Sequence, residues 1–363
     1  MIALRHSRIC MLPCVSGVGG MVSFQNKLAA GLAARGVQTT HSLAGELCDA
    51  ILVVGGTRQL ATLWQARRRG IPIVQRLDGM NWLHRVRAKT HAFNTSWRHY
   101  LRAEYGNFIL SYIRGHLSDS IVYQSEFTCG WWEKVHGELR IPHHVIYNGV
   151  DLETYKPMSM DTRPKDRYRL LLVEGSMMGG YEQGLGVAVE LASRLYIAHS
   201  HNVQKGIELF IVGRVSPEVR DKLDHLVREQ HGEGHLMITW CGLVPGEKIP
   251  EIDRSAHLLY SADINAACPN SVIEALACGL PVLAFDTGAL PELVQKNAGH
   301  IVPYGGDPWK LDAPDVARLS DAANVILMEQ DHFRIAARAL AEERFGLDCM
   351  VDAYLEVFKQ LSG

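Results

Sequence analysis

The chain has 363 residues, which is long enough for two domains that each bury a core of their own. Lys and Arg number 37 against 39 Asp and Glu, and this near balance argues against a general nucleic-acid-binding protein. No apolar run reaches the length that spans a bilayer. The eight cysteines lack paired metal-ligand spacing, so we expect no metal site and predict that the chain resides in a reducing cytoplasm.

The N-terminal half alternates short apolar runs with helical patterns. The runs predict strands at residues 9–13, 50–54, 71–75, 120–124 and 145–147, with helices at 21–35, 60–69 and about 97–117. Strands without polar alternation, separated by helices, are typical of a parallel sheet that is covered on both faces. We therefore predict a doubly wound, Rossmann-like α/β domain over residues 1–157.

A glycine-rich loop, SGVGGM, follows the first predicted strand and precedes a helix. Gly19 and Gly20 would let the main chain approach a ligand closely, although such loops also occur where packing alone demands them. The loop lacks the full dinucleotide fingerprint, and no acidic residue closes a second strand at the right distance. Nicotinamide binding is therefore not expected.

Polar and aromatic residues follow the predicted strand at 71–75. Arg76 and Asp78 end this strand and are followed by Asn81, Trp82 and His84. A carboxylate and aromatic rings beside a cleft suit the hydroxyls and ring faces of a sugar acceptor, but they could equally cap the following helix.

Positive charge is concentrated between residues 58 and 102, where ten Lys and Arg residues accompany a single acid. The segment could dock an anionic membrane at its inner face, a lipid-linked acceptor or an acidic glycan. The alternative is a solvated helical face, which a like-charge stretch without an apolar stripe favours.

Composition changes at residues 151–167, a polar, proline-bearing stretch that suits a linker. A second βα series follows, with strands predicted at 169–174, 207–212, 237–241, 258–260, 282–284 and 300–302 and helices at 184–199, 216–229, 246–256 and from 270. This series predicts a second Rossmann-like domain at 165–344 that faces the first across a cleft. Its ligand-bearing loops should leave the carboxyl ends of the strands.

Two of these loops carry candidate phosphate-binding residues. The loop EGSMMGGYEQG supplies Gly175 and Gly179 after the first strand of the second domain. Arg214 ends the next strand, where its guanidinium could pair bidentately with a diphosphate. The alternative for Arg214 is a solvated loop arginine.

The segment CPNSVIEALACGLPV, residues 268–282, predicts an amphipathic helix that starts after a proline and ends at a Cys-Gly pair. The apolar residues share one face, which leaves Glu274 free to project elsewhere. A first-turn carboxylate can accept hydrogen bonds from a ribose diol, while the N–H groups of Asn270, Ser271 and Val272 can face a phosphate. Glu274 could instead only favour the helix dipole.

These motifs together resemble the retaining GT-B glycosyltransferases of family 4, the glycosyl transferases group 1. The resemblance covers, in chain order, the first loop and helix, the interdomain signature, a mid-domain strand, the donor-site block and the closing helix: SGVGGM with LAAGLAARG, VIYNGVDLETYKP, IELFIVGR, CPNSVIEALACGLPVLAFDTGALPELV and AEERFGLDCMVDAYLEVF. Five matches in the right order are a specific signal.

The resemblance implies two facing domains and a C-terminal helix, at about 345–363, that crosses back to the first. It implies transfer of a sugar from a UDP- or GDP-sugar to a glycan or lipid-linked acceptor with retention, without a metal or cofactor. Glu274 matches the family's ribose-binding glutamate, Leu243 and Val244 fall where the main chain reads the base, and residues 270–272 fall where a helix receives the distal phosphate. Asp78, Arg214 and Glu274 are the candidate catalytic residues, with roles in positioning and electrostatic stabilisation.

The chain departs from the family's pattern at three positions. Ala266 stands eight residues before Glu274, where the family has a glutamate that meets the donor sugar. Ser176 and Gln183, which we include among the donor-binding candidates, occupy the places of an arginine and a lysine. Losing two cations weakens neutralisation of the leaving diphosphate. The departures motivate a second hypothesis, a non-catalytic GT-B protein that binds a nucleotide sugar or glycan or serves an active transferase, and a third, a sugar-nucleotide epimerase.

Overall fold

The computed structural model describes residues 7–17, 19–43, 48–90, 97–158, 162–178, 182–200, 205–232 and 236–361. The chain divides into two compact units. The first unit consists of Met1–Gly149 together with Leu347–Gly363, and the second of Val150–Gly346. The predicted boundary at residue 157 therefore lies inside the second unit.

The first unit is built around a six-stranded sheet. Its strands are β1 (Arg8–Leu12), β2 (Gln38–Thr40), β3 (Ala50–Val54), β4 (Ile73–Leu77), β5 (Ser120–Tyr123) and β6 (His143–Val145). They lie in the order β2-β1-β3-β4-β5-β6, and all pairs are parallel. The connecting helices are α1 (Gly20–Ala34), α2 (Leu60–Arg68), α3 (Leu83–Thr90), α4 (Trp97–His116) and α5 (Glu126–His136).

The central strands of this sheet are buried on both faces, which explains why they lack polar alternation. Every residue of β3, with the sequence AILVV, is buried. One face of the sheet packs against Phe24, Leu28 and Leu32 of α1, and the other against helices that include Ile113 of α4.

The second unit repeats this architecture. Its strands are β7 (Arg167–Ser176), β8 (Gly206–Arg214), β9 (Leu236–Gly242), β10 (Leu258–Tyr260), β11 (Val282–Phe285) and β12 (Gly299–Val302), in the order β12-β11-β10-β7-β8-β9. All pairs are parallel. Its helices are α6 (Gln183–Ser200), α7 (Pro217–His231), α8 (Ile249–Arg254), α9 (Asn270–Ala277), α10 (Leu290–Leu293), α11 (Val316–Met328) and α12 (Gln330–Arg344).

The last helix, α13 (Leu347–Leu361), belongs to the first unit. It packs against α1, where the rings of Phe24 and Tyr354 lie 5.5 Å apart between centroids. Arg35 at the end of α1 forms an ion pair with Asp352 at 2.6 Å. Gly31 lets the two helices approach, because a Cβ at this position would overlap a methyl group of the buried Val351.

Candidate functional site

The ends of β7 and β8 lie side by side at the carboxyl edge of the second sheet. Ser176 and Arg214 are partners in the strand register, and the Met177 N–H donates to the Arg214 carbonyl at 2.9 Å. Gly213 has a φ of 140°, and a Cβ there would overlap the carbonyl oxygen of Glu174. The two strand ends therefore come together only because residue 213 is glycine.

The loop after β7 is open to solvent where the structure describes it. Gly175 and Ser176 are exposed, and so is the side chain of Arg214 next to them. Among the residues that the structure describes, none has an atom within 4 Å of the position that a Cβ on Gly175 would take. The predicted donor-binding Gly179 lies outside the described residues. A phosphate could thus approach the main chain and the guanidinium from the same side.

Gln183 begins α6 and points toward the segment that follows β12. Its amide donates to the Tyr304 hydroxyl and to the Leu311 carbonyl, each at 3.5 Å. The next residue, Gly184, lies so close to Ala262 that a Cβ would be 2.7 Å from the alanine methyl group. The N-terminus of α6 is therefore held against the loop after β10.

Helix α9 starts where the sequence predicts, at Asn270, with Pro269 as its N-cap. Pro269 has no side chain that could cap the N-terminus, and the first N–H groups of an α-helix have no acceptor within the helix. Asn270 and Ser271 are half-buried, while the side chain of Val272 is fully buried and anchors the helix in the core. The first turn thus combines a fixed backbone with main-chain donors.

Glu274 is half-buried on α9, and its charge acts on Tyr155 and on Asp253 of α8. Burial raises the pKa of Tyr155 and of the fully buried Asp253, and the negative charge of Glu274 adds to both shifts. The Tyr155 hydroxyl donates to the Gly246 carbonyl at 3.4 Å. Tyr155 thus lies near both Glu274 and the segment that follows residues 243–244, where Leu243 is exposed and Val244 half-buried.

Ala266 is buried beneath the loop that follows β11. Gly288 has a φ of 59°, and a Cβ on it would lie 2.5 Å from the Ala266 nitrogen. The Ala289 N–H donates to the Ala266 carbonyl at 2.8 Å. The backbone at residue 266 is therefore fixed by the neighbouring loop, and its side chain offers no polar group.

A pair of carboxyl groups lies where the adjacent strands β7 and β10 end, and the sequence analysis did not predict it. Burial and then the charge of Asp263 raise the pKa of Glu174 to about 8, and burial raises the pKa of Asp263 to about 6. Glu174 is at the end of β7, and Asp263 follows the neighbouring strand β10. The available signal was the acid that ends each of two adjacent apolar strands.

Two unsatisfied polar groups lie in the same segment after β10 as Asp263. Ser261 and Asn265 are each about 95% buried, and within the described part of the chain neither the Ser261 Oγ nor the Asn265 Nδ2 has a hydrogen-bond partner. Buried polar groups are nearly always paired, so such groups next to a surface loop mark a place for a polar ligand or water. Asp263 and Ser261 both line a narrow hollow there.

In the first unit, the glycine loop lies open at the carboxyl end of β1. Gly19 is the N-cap of α1 with a φ of 142°, and within the described ranges no atom lies within 4 Å of the position of a Cβ on it. Gly20 is the first residue of the helix, and both glycines are exposed. The loop has the open main chain that the sequence predicts, so contact with a donor stays a prediction for both residues.

Two of the predicted acceptor residues are engaged inside the protein. Arg76 is buried, donates to the Asn148 Oδ1 at 2.6 Å and lies 3.8 Å from the centroid of the Phe24 ring. His84 is also buried, with its Nε2 2.9 Å from a carboxylate oxygen of Glu104. Both side chains are thus largely committed to partners inside the first unit, and their contact with an acceptor stays a prediction.

The other candidates near β4 remain accessible. Asp78 and Trp82 are half-buried, and burial raises the pKa of Asp78 although the charge of Arg76 opposes this shift. Asn81 is exposed and held by Asn107, whose side chain exchanges hydrogen bonds of 2.9 and 2.8 Å with the Asn81 main chain.

A pocket of about 430 Å³ opens beside Asn81 at the carboxyl end of β3 and β4. Arg58, His99 and Arg102 line it together with the Tyr105 ring, and none of the described lining residues is acidic. A pocket of this kind suits a polar ligand that carries negative charge.

The clearest metal-ligand grouping among the described residues is remote from these loops. Cys129, Glu133 and His143 place one ligand atom each within 4.8 Å of one another. His143 begins β6, so the group lies at the amino end of the strands. Burial raises the pKa of the Cys129 thiol to about 12, and the thiol form is a poor metal ligand.

The comparison with protein families agrees with this arrangement. The model of the glycosyl transferases group 1 matches residues 169–324, the larger part of the second unit. The second unit is therefore similar to the glycosyl transferases group 1. The match includes the loop after β7, Arg214, the carboxyl pair and α9.

Curated and solved members of the glycosyltransferases extend the comparison. Alpha-maltose-1-phosphate synthase of Mycolicibacterium smegmatis is 24% identical over 238 residues, 60% of this chain and 57% of that protein. Sucrose-phosphate synthase from Thermosynechococcus elongatus superposes with a TM-score of 0.73 at 17% identity, covering 98% of this chain and 99% of that one. HepE from Anabaena, in complex with UDP and glucose, gives 0.63 at 16% identity, covering 98% and 100%. The likeness confirms the predicted GT-B class, and the chain spans about half the length of the curated relatives it matches.

Proposed function

We propose that the chain is a glycosyltransferase that moves a sugar from a UDP- or GDP-sugar to a glycan or lipid-linked acceptor, with retention. The observation that carries this proposal is the convergence, at one edge of the second sheet, of the open loop at Ser176, the guanidinium of Arg214 and the N-terminus of α9. The family match over this unit supports the reaction, and the UDP in HepE supports the donor class.

The diphosphate would be held mainly by main-chain N–H groups. Residues 270–272 at the start of α9 and the loop at residues 175–176 supply donors, and Arg214 supplies one positive charge. Glu274 would accept hydrogen bonds from the ribose, with Leu243 and Val244 at the base. Fixed donors of this kind stabilise the charge that develops on the leaving diphosphate and need no reorganisation during the reaction.

The carboxyl pair Glu174–Asp263 would contact the donor sugar. It would take the role of the family's glutamate, whose position Ala266 occupies in this chain. At neutral pH the raised pKa keeps a proton on Glu174, so the group can donate a hydrogen bond to a sugar hydroxyl. A neutral acid also avoids repelling the nearby diphosphate. The unpaired Ser261 and Asn265 groups add further hydrogen-bonding capacity.

Retention follows from attack on the same face that the diphosphate leaves. The bond from the anomeric carbon to the phosphate oxygen breaks, the acceptor oxygen bonds to that carbon, and the acceptor proton passes to the leaving phosphate oxygen. No protein base is required, so the work of the protein is positioning and electrostatic stabilisation.

All eight cysteines are free thiols, which supports a reducing, cytoplasmic location.

A thermal-shift screen of nucleoside diphosphates tests the proposal. Because a ligand that binds the folded state at a hundred times its Kd adds about 2.7 kcal/mol of stability, UDP or GDP should raise the Tm by several degrees. Arg214→Ala should weaken that nucleotide about tenfold or more. Lys205→Ala is the matched control, since Lys205 precedes β8 at the opposite edge of the sheet. No stabilisation by any nucleoside diphosphate would overturn the proposal.

Three observations favour a second candidate, a non-catalytic nucleotide-sugar-binding protein. Ser176 and Gln183 supply no cation, and Ala266 supplies no carboxylate. Calorimetry with UDP- and GDP-sugars, followed by a donor-hydrolysis assay, distinguishes the two candidates. Tight binding without turnover favours the binding protein, and release of free sugar favours the transferase.

A further inference from the structure

The outer face of α4 carries an apolar stripe. Trp97, Leu101, Tyr105 and Phe108 recur every three or four residues, so they share one face of the helix, and they are 68, 53, 48 and 56% exposed. The opposite face packs into the first unit through Ile109 and Ile113, among others. The sequence reading expected no such stripe, and the structure corrects it.

The stripe continues beyond α4 and is ordered by ring contacts. Phe108 and Tyr112 have ring centroids 5.9 Å apart, and the indole N–H of Trp64 on α2 donates to the Tyr112 hydroxyl at 3.2 Å. Trp64 is itself 40% exposed. Single exposed apolar side chains are common in soluble proteins, but a contiguous patch of this kind marks an interaction site.

Positive charge borders the stripe. Arg98 and Arg102 are exposed on α4, and the Arg58 guanidinium carbon lies 5.9 Å from the centroid of the Tyr105 ring. The acid on this helix, Glu104, forms an ion pair with Arg85 at 2.6 Å and lies 2.9 Å from the Nε2 of His84. Aromatic and aliphatic side chains flanked by arginines match the boundary between the acyl chains and the anionic headgroups of a bilayer.

We propose that the first unit docks on an anionic membrane through the α4 surface, formed by the stripe from Trp97 to Phe108 with Trp64, Arg58, Arg98 and Arg102. None of the described helices is long and apolar enough to cross a membrane, so the contact is one of a helix lying on the surface. The basic pocket next to Tyr105 then opens beside the headgroups. A lipid-linked acceptor follows from this placement, a step that rests on the proposed function.

Vesicle co-sedimentation tests the docking. The full chain should bind phosphatidylcholine/phosphatidylglycerol vesicles at low salt, bind less at moderate salt because the charges are screened, and bind pure phosphatidylcholine vesicles much more weakly. Arg58→Ser/Arg102→Ser should lower the vesicle affinity roughly 30-fold, at about 1 kcal/mol for each arginine removed. Leu101→Asp/Phe108→Asp should abolish binding.

Matched controls distinguish binding through the α4 surface from non-specific hydrophobic binding to vesicles. Met328 and Ile335, on α11 and α12, are 67 and 73% exposed, so Met328→Asp/Ile335→Asp removes the same kind of side chain from another surface and should bind vesicles like the unmodified chain. The α4 variants should keep their thermal shift with UDP or GDP, which depends on the second unit. Equal binding by all variants, or no binding to anionic vesicles at low salt, overturns the docking and leaves the proposed function untouched. A dimer in solution that Leu101→Asp/Phe108→Asp dissociates, without vesicle binding, assigns the stripe to a second copy of the chain instead.

Discussion

Gly213 sets the distance between the ends of β7 and β8. Its left-handed φ and the nearby Glu174 carbonyl leave no room for a Cβ, so Gly213→Ala should lower the free energy of unfolding by about 1–3 kcal/mol and displace Arg214. Gly175→Ala is the matched control, because that position is open and should change stability by less than about 1 kcal/mol. Urea unfolding and nucleotide affinity measure both effects. Equal stability of the two variants would show that the strand ends can separate without cost.

The carboxyl pair Glu174–Asp263 makes stability depend on pH. Below about pH 4.5 Glu174 is protonated in both states; as the pH rises toward 8 the unfolded chain loses this proton while the folded chain keeps it, so the free energy of unfolding falls. Asp263 adds to the fall up to about pH 6. Glu174→Gln should flatten this dependence and be more stable than the unmodified chain at pH 8. Urea unfolding between pH 5 and 8 measures it, and Asp221→Asn, an exposed carboxylate on α7, should leave the slope unchanged.

At the level of single residues, the sequence predicted the positions of residues along a helix better than it predicted where strand side chains point. The α9 residues 270–272 and Glu274 lie where a helix pattern places them, because the buried face of an amphipathic helix fixes the opposite face. Arg76 lies in an apolar strand and turns inward onto Phe24, which no residue pattern reveals. The pair Glu174–Asp263 depends on two strands that are neighbours in the sheet but distant in sequence.

At the level of elements, the packing of α13 on α1 is decided at Gly31. Alanine raises helix propensity by about 1 kcal/mol over glycine, but a Cβ here overlaps the stiff, buried Val351, and overpacking costs about 1–3 kcal/mol. Gly31→Ala should therefore destabilise the chain by about 1 kcal/mol. In a Val351→Ala background the same change should instead stabilise it, because the methyl group fills the vacated space. Urea unfolding of the four chains gives the coupling, and additive effects would contradict the proposed contact.

The buried strands were predicted within about two residues of their observed ends, whereas β2 and the helices α5, α10, α11 and α12 were not predicted. The runs at 50–54 and 258–260 are apolar throughout, which is the signature of a strand covered on both faces. Strand β2 was not predicted because its sequence, QTT, is short and polar and lies at the sheet edge. Helix α5 was not predicted, although Ser125 caps it by accepting a hydrogen bond from the Thr128 N–H. The predicted helix 246–256 is a 3₁₀ turn followed by α8, because Pro250 can only occupy the first turn of a helix.

On the scale of the whole molecule, the chain builds one unit, then the other, and returns. The return occurs within two residues: α12 ends at Arg344, Val150 pairs with Gly346 in an isolated bridge, and α13 begins at Leu347. The sequence predicted a C-terminal helix in the first domain only through its resemblance to a family, since nothing local to residues 347–361 says which sheet they cover. The apolar face of this helix indicates that it packs against another element, but not against which one.

The return makes the stability of the first unit depend on the last helix. Met350, Val351, Tyr354 and Phe358 are buried in the core that covers β1 and β3, and burying each such side chain contributes about 1.5–3 kcal/mol. Their sum is comparable to the 5–15 kcal/mol that stabilises a typical domain. A chain that ends at Gly346 should therefore lose amide-exchange protection in β1 and α1 while β10 and α9 keep theirs, as measured by hydrogen-deuterium exchange mass spectrometry. A chain that ends at Leu361 is the control and should exchange like the full chain. Unchanged protection of α1 in the shorter chain would mean that the first sheet holds its helix without α13, and the packing at Gly31 would then be a contact of little energy.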